Sequence, residues 1–138
     1  MEVTIAKYAW APKRKRSVPK IPDSIKSEIK VKANALINQV LKPKYLQPPP
    51  EDNDFNYLVD IFSKWYRGYF YFCSKYNCPS PNAMAPSFNS NFARLEYVDR
   101  DRFNLAYMRH TGQWFEIGFD LSLEECLEEI ENLPHFMP

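Results

Sequence analysis

The stretch Phe92–Leu121, FARLEYVDRDRFNLAYMRHTGQWFEIGFDL, constrains the chain more than any other part. Apolar and polar residues alternate in three runs, near 92–98, 103–110 and 113–120, separated by two turn-forming clusters. Such period-two runs predict antiparallel strands. Asp99-Arg100-Asp101-Arg102 reads as a four-residue loop, and Thr111-Gly112 as a two-residue loop in which glycine supplies a positive φ. Loop length sets register, and register decides which side chains share a face. Arg94 is then expected opposite Tyr107, Val98 opposite Phe103, and Arg109 opposite Trp114. An apolar face collects Ala93, Leu95, Tyr97, Ala106, Met108, Phe115, Ile117 and Phe119. The other collects Arg94, Glu96, Tyr107, Arg109, Trp114 and Glu116, with Phe92, Val98, Phe103 and Leu105 toward the edges. In this reading a slip of one residue would put charges among the apolar group.

A second hairpin precedes the meander. Residues 55–66 carry both a helical and a strand pattern, and β-branched and aromatic residues favour the strand. Arg67-Gly68 forms its turn and the chain returns through Tyr69–Tyr76, setting Lys64 opposite Tyr71 and Asp60 opposite Lys75. Val59, Ile61, Trp65, Phe70 and Phe72 join the core, so five strands are expected. Residues 78–91 carry no charge and read as a long loop, either a packed connection or a lid over the sheet.

Helices flank the sheet. Asp23–Leu41 has apolar positions Ile25, Ile29, Ala33, Leu36, Ile37, Val40 and Leu41 at helical spacing, with Asp23 or Ser24 as N-cap. It is expected to stop at Lys42, which precedes Pro43. Pro48-Pro49-Pro50 is a stiff spacer leading into an acidic run. Near the C-terminus, Ser122 and Glu125 form a capping box for a helix over 122–132 that buries Leu123, Cys126, Leu127 and Ile130. Pro134 ends it, and Phe136 folds back as a plug. The predicted fold class is α+β, a five-stranded antiparallel meander with both helices on its apolar face. Residues 1–22 form a basic arm and 23–138 a single domain.

Net charge is +1, yet residues 1–44 hold eleven Lys and Arg against three acids, and residues 45–138 seven against fourteen. A basic front of +8 thus adjoins an acidic back of −7, which suggests an anionic partner for the front or its docking on the back. Three cysteines without a secretory signal suggest a reducing, cytoplasmic compartment. No apolar run reaches the ~20 residues that span a bilayer, so no membrane role is expected.

Several chemistries find little support. Cys73, Cys78 and Cys126 lack the paired spacing of a zinc site and read as buried thiols, so no metal or cofactor is expected. His110 falls beside a turn and reads as structural, as does His135. Glu96 and Glu116 lie two strand spacings apart, about 12 Å between backbones, wider than a catalytic carboxylate pair requires. No catalytic residue is assigned. Binding candidates are Lys64, Tyr71, Lys75, Arg94, Tyr107, Arg109 and Trp114 on the sheet. Guanidinium groups there suit phosphate or carboxylate, and the rings offer stacking platforms. The bland alternative is a self-satisfied lattice: Arg109 stacks on Trp114, Arg94 pairs with Glu96, and Asp60 with Lys75. Lys13, Arg14, Lys15, Arg16 and Lys20 of the arm are the second candidate set, suited to phosphates or simply solvated.

The strings ARLEY (93–97) and RFNLAYMRHTGQW (102–114), with Lys64-Trp65, Phe70-Tyr71-Phe72 and LSLEECLEEI (121–130), resemble a family of small uncharacterised bacterial proteins, a domain of unknown function. The resemblance covers roughly residues 20–138. It implies a single-domain bacterial protein and brings no activity, cofactor or catalytic residue. The leading expectation is a non-enzymatic binding or adaptor module that contacts an anionic partner such as RNA or DNA through its arm. The alternatives are a small-ligand protein or enzyme under the 78–91 loop, and a subunit of a larger complex with a protein partner on the aromatic face.

Overall fold

A computed structural model describes residues 20–51 and 55–138. Helix α1 (Asp23–Leu36) passes through a π-helical turn, Ile37–Leu41, into the short α2 (Lys42–Tyr45). Strands β1 (Tyr57–Tyr66), β2 (Tyr69–Asn77), β3 (Ser87–Asp99), β4 (Arg102–Met108) and β5 (Trp114–Leu121) follow, then α3 (Leu123–Asn132) and a 3-10 turn, Pro134–Phe136. The strands form one antiparallel sheet in the order β1-β2-β3-β4-β5. The expected α+β meander is therefore present.

The helices share one side of the sheet. Ile29, Ala33, Ile37 and Leu41 pack with Ile61, Phe70, Phe72, Ala93, Leu95, Phe103 and Leu105, and α3 adds Leu123, Cys126 and Ile130. Phe136 is fully buried there, so the C-terminal plug is real. Polar groups between α1 and β1 are matched: Lys30 Nζ donates to the Ser63 carbonyl and Ser63 Oγ to Asn34 Oδ1 at 2.7 Å. The Ser122–Glu125 capping box forms with both of its hydrogen bonds. Asp101 Oδ1 also accepts from Leu123 N, tying the β3–β4 turn to the start of α3.

The first hairpin holds the expected register, with Lys64 opposite Tyr71 and Asp60 opposite Lys75, around a turn in which Arg67 and Gly68 have φ of 51° and 85°. Val59 is only partly buried, at a bulge between Leu58 and Asp60. The two later hairpins depart from the expected register by one residue. Tyr107 lies opposite Ala93 and Arg94 opposite Ala106; Met108, not Arg109, lies opposite Trp114. The causes are a bulge in one hairpin and loop length in the other. The β3–β4 turn holds only Arg100 and Asp101, which by itself keeps the expected register with Asp99 opposite Arg102, and the extra residue Val98, bulged out of β3, then shifts the pairing by one. The β4–β5 loop holds three, His110-Thr111-Gly112: Gly112 N donates to the Arg109 carbonyl, and Arg109 N to that of Gln113. Gly112 takes φ +85°, as a type I turn closed by a left-handed residue requires.

Both shifts turn only β4 over. Phe103, Leu105 and Tyr107 face the helices, while Asn104, Ala106 and Met108 face the other way. No charge is misplaced, because β4 carries none between Phe103 and Met108. Size decides instead, since burying Phe103 and Leu105 removes more apolar area from water than burying Ala106 and Met108. Phe119, expected in the core, is 60% exposed on the edge strand.

Three local expectations also change. Pro22, not Asp23 or Ser24, occupies the N-cap of α1, and its carbonyl accepts from Ile25 N and Lys26 N. The helix runs on through Pro43, because the preceding π turn re-spaces the carbonyls that the proline ring would meet. The 78–91 loop shrinks to 78–86, since β3 begins at Ser87, and a bulge at Phe92 lets both Phe92 and Ala93 reach the core.

Candidate functional site

The sheet face opposite the helices is built by alternation. From β1 it receives Phe62, Lys64 and Tyr66; from β2 Tyr69, Tyr71 and Cys73; from β3 Arg94 and Glu96. From β4 it receives Asn104, Ala106 and Met108, and from β5 Trp114 and Glu116. All described helices lie on the other side.

Arg94 is its centre. Its guanidinium carbon lies 4.5 Å from the Tyr69 ring centroid and 4.9 Å from that of Trp114. Tyr71, the Cα partner of Arg94 on β2, stands 5.8 Å from Trp114 and 6.1 Å from Tyr69, ring to ring. Two rings thus flank one cation, and the Tyr71 ring stands beside both. Stacking on π faces leaves a guanidinium only its in-plane N–H groups for hydrogen bonds. Arg94 Nε is buried without a hydrogen-bond partner among the described residues.

The predicted site residues divide. Lys64, Tyr71, Arg94 and Trp114 come together on this face. Lys75 shares the face but sits four residues from Tyr71, about 13 Å along the strand. Tyr107 does not belong: the β4 register turns it to the helix side, against the rings of Phe115, His135 and Phe136. Arg109 lies beyond the end of β4, over the Phe115 ring at 4.9 Å. Lys20 is exposed, while Lys13, Arg14, Lys15 and Arg16 lie outside the described residues. Period-two counting also reaches Tyr66 and Tyr69, which the sequence reading passed over although they alternate in step with Lys64 and Tyr71.

The expected self-satisfied lattice takes other partners. Arg94, not Arg109, stacks on Trp114. Glu96 Oε1 accepts from Asn104 Nδ2 at 3.2 Å, and Asp60 pairs with Lys42 at 3.1 Å rather than with Lys75. Glu96 and Glu116 remain two strands apart.

Burial is the main reason that the Tyr71 hydroxyl titrates above its ordinary range; the charge of Arg94 opposes it, and Tyr69, Tyr66 and Cys73 add to it. Burial also raises the Cys73 thiol, against the nearby charges of Lys64 and Lys30. Both groups are neutral at physiological pH. Among the described residues no cluster of His, Cys, Asp and Glu is arranged to hold a metal ion. The pocket beside the 78–86 loop, about 370 Å³, is lined by Asn56, Cys78, Asn82, Met84 and Phe88. None of Arg94, Tyr107, Arg109 or Trp114 contributes to it.

Fold and face together define a class: a small α+β module, helices on one side of a meander and an arginine-centred aromatic cluster on the other. The chain belongs to the family DUF3024, a domain of unknown function, whose model matches residues 20–138. No curated protein and no solved structure matches it. No described helix is long and apolar enough to cross a membrane.

Proposed function

We propose that the chain is a non-enzymatic binding module for an anionic polymer, nucleic acid, engaged by the sheet face opposite the described helices and by the basic residues Lys13, Arg14, Lys15, Arg16 and Lys20. One observation carries the reading. Arg94 is held between Tyr69 and Trp114, which fixes the plane of its guanidinium, and the terminal N–H groups of such a fork suit phosphate oxygens. Lys64 and Arg67, both exposed, add charge on the same face or at its rim. The free thiols Cys73, Cys78 and Cys126 fit a reducing compartment such as the cytoplasm.

Retention of the intact chain on immobilised nucleic acid at low salt tests this reading. Binding is expected to weaken steeply with salt, and removal of residues 1–19 to make that dependence shallower. Arg94→Lys keeps the charge and loses the planar stack, so weaker binding is expected. Absence of binding by the intact chain at low salt refutes the proposal.

A further inference from the structure

Resting on the nucleic-acid reading, we propose that the ligand is single-stranded, with a base laid on Tyr71 and the adjoining phosphates held by Lys64 and Arg94. These three residues form one row across the sheet, for Tyr71 is the Cα partner of Lys64 on one side and of Arg94 on the other. At a strand spacing of ~4.8 Å, the two cations straddle the ring with backbones about 10 Å apart. Lys64 is exposed and has no ion pair among the described residues.

The cations differ in role. Arg94 is clamped by Tyr69 and Trp114 and presents donors in a set plane, whereas Lys64 is a mobile point charge. Tyr71 carries no stacked cation among the described residues; its ring packs at a tilt beside Trp114 and Tyr69 and stays part-exposed. One row away, Tyr66 lies opposite Tyr69 and is 52% exposed, with the Arg67 guanidinium over its ring at 5.1 Å.

Rings of this kind select against a duplex, whose bases hide their π faces in the stack, and favour unpaired bases, which present them. A duplex backbone instead rewards an unbroken line of cations. Here Glu96 and Glu116 interrupt any such line.

The test is competition for the intact chain at low salt between a short labelled oligo(dT), the oligo(dT)·oligo(dA) duplex, and polyglutamate as a purely charged rival. The single strand is expected to bind about tenfold or more tightly than the duplex, with polyglutamate a poor competitor. Tyr71→Leu, which keeps apolar bulk, is expected to weaken oligo(dT) binding about tenfold or more at an unchanged melting temperature. Should that variant fail to fold, Lys64→Ala on the exposed neighbour is expected to reduce the salt slope by about one. Equal binding of duplex and single strand, equal displacement by polyglutamate, or unchanged binding by the Tyr71 or Lys64 variants overturns the single-strand proposal alone. Failure of every nucleic acid to bind overturns the underlying reading as well.

Discussion

Gly118 and Gly112 sit on the same hairpin and are needed for different reasons. A Cβ built on Gly118 would lie 2.5 Å from Leu121 Cδ1 and 3.3 Å from Leu105 Cβ, so this glycine is a space requirement of the core. Gly118→Ala should cost about 1–3 kcal/mol, read as a lower urea midpoint at unchanged slope. Cys126 poses a different constraint. Burial, with Glu129, Glu125 and Asp101 nearby, pushes its thiol up to about 12 from an ordinary 9.0. Between those pH values the unfolded chain has released this proton and the native chain keeps it, so stability falls as pH rises. A chemical-denaturation series from pH 9 upward should show that loss, and Cys126→Ala should remove the part due to this thiol. In the native state at pH 8, half-buried Cys78 should react with a thiol reagent first, with Cys73 and Cys126 reacting only on unfolding.

At the scale of elements, turns carry most of the information that pattern alone leaves ambiguous. Nothing lies within 4 Å of a Cβ on Gly112, so its substitution meets only the cost of a left-handed backbone. Gly112→Ala should cost about 1–2 kcal/mol, and Gly112→Asn should recover much of it, because asparagine tolerates that conformation. The same asparagine at Gly118 should recover nothing, and paired melting curves distinguish the two. Loss of the Ser122 cap, in Ser122→Ala, should cost about 1 kcal/mol. The capping box and the Arg67-Gly68 turn were legible because each is a local bonding pattern with its own residue signature. The β4 register was not. The run FNLAYM offers two uncharged faces, and whether His110 belongs to the strand or to the loop depends on bonds between Arg109 and Gln113. Pro43 misled for a similar reason, since a π turn absorbs the constraint that ends most helices.

Across the whole molecule, α1 and α3 close one side of the sheet and leave the arginine-centred face on the other. Ile21, just upstream of α1, is 6% exposed, so its side chain is buried in the folded protein. A chain starting at residue 23 should be about 1.5–3 kcal/mol less stable than one starting at residue 20, the burial of one isoleucine side chain, as read by thermal unfolding. Alternation, helical periodicity, turn residues and, for residues 55–66, side-chain type determined the number of strands, their antiparallel order and the side the helices cover, because each can be read along the chain. The same count put Lys64, Tyr71, Arg94 and Trp114 on one face. Only the tertiary structure decided that Arg94 sits between Tyr69 and Trp114 while Tyr107 and Arg109 leave the face. Those contacts join residues from three strands, and a bulge at Val98 with one extra residue in the β4–β5 loop, both invisible to any periodicity, select among them.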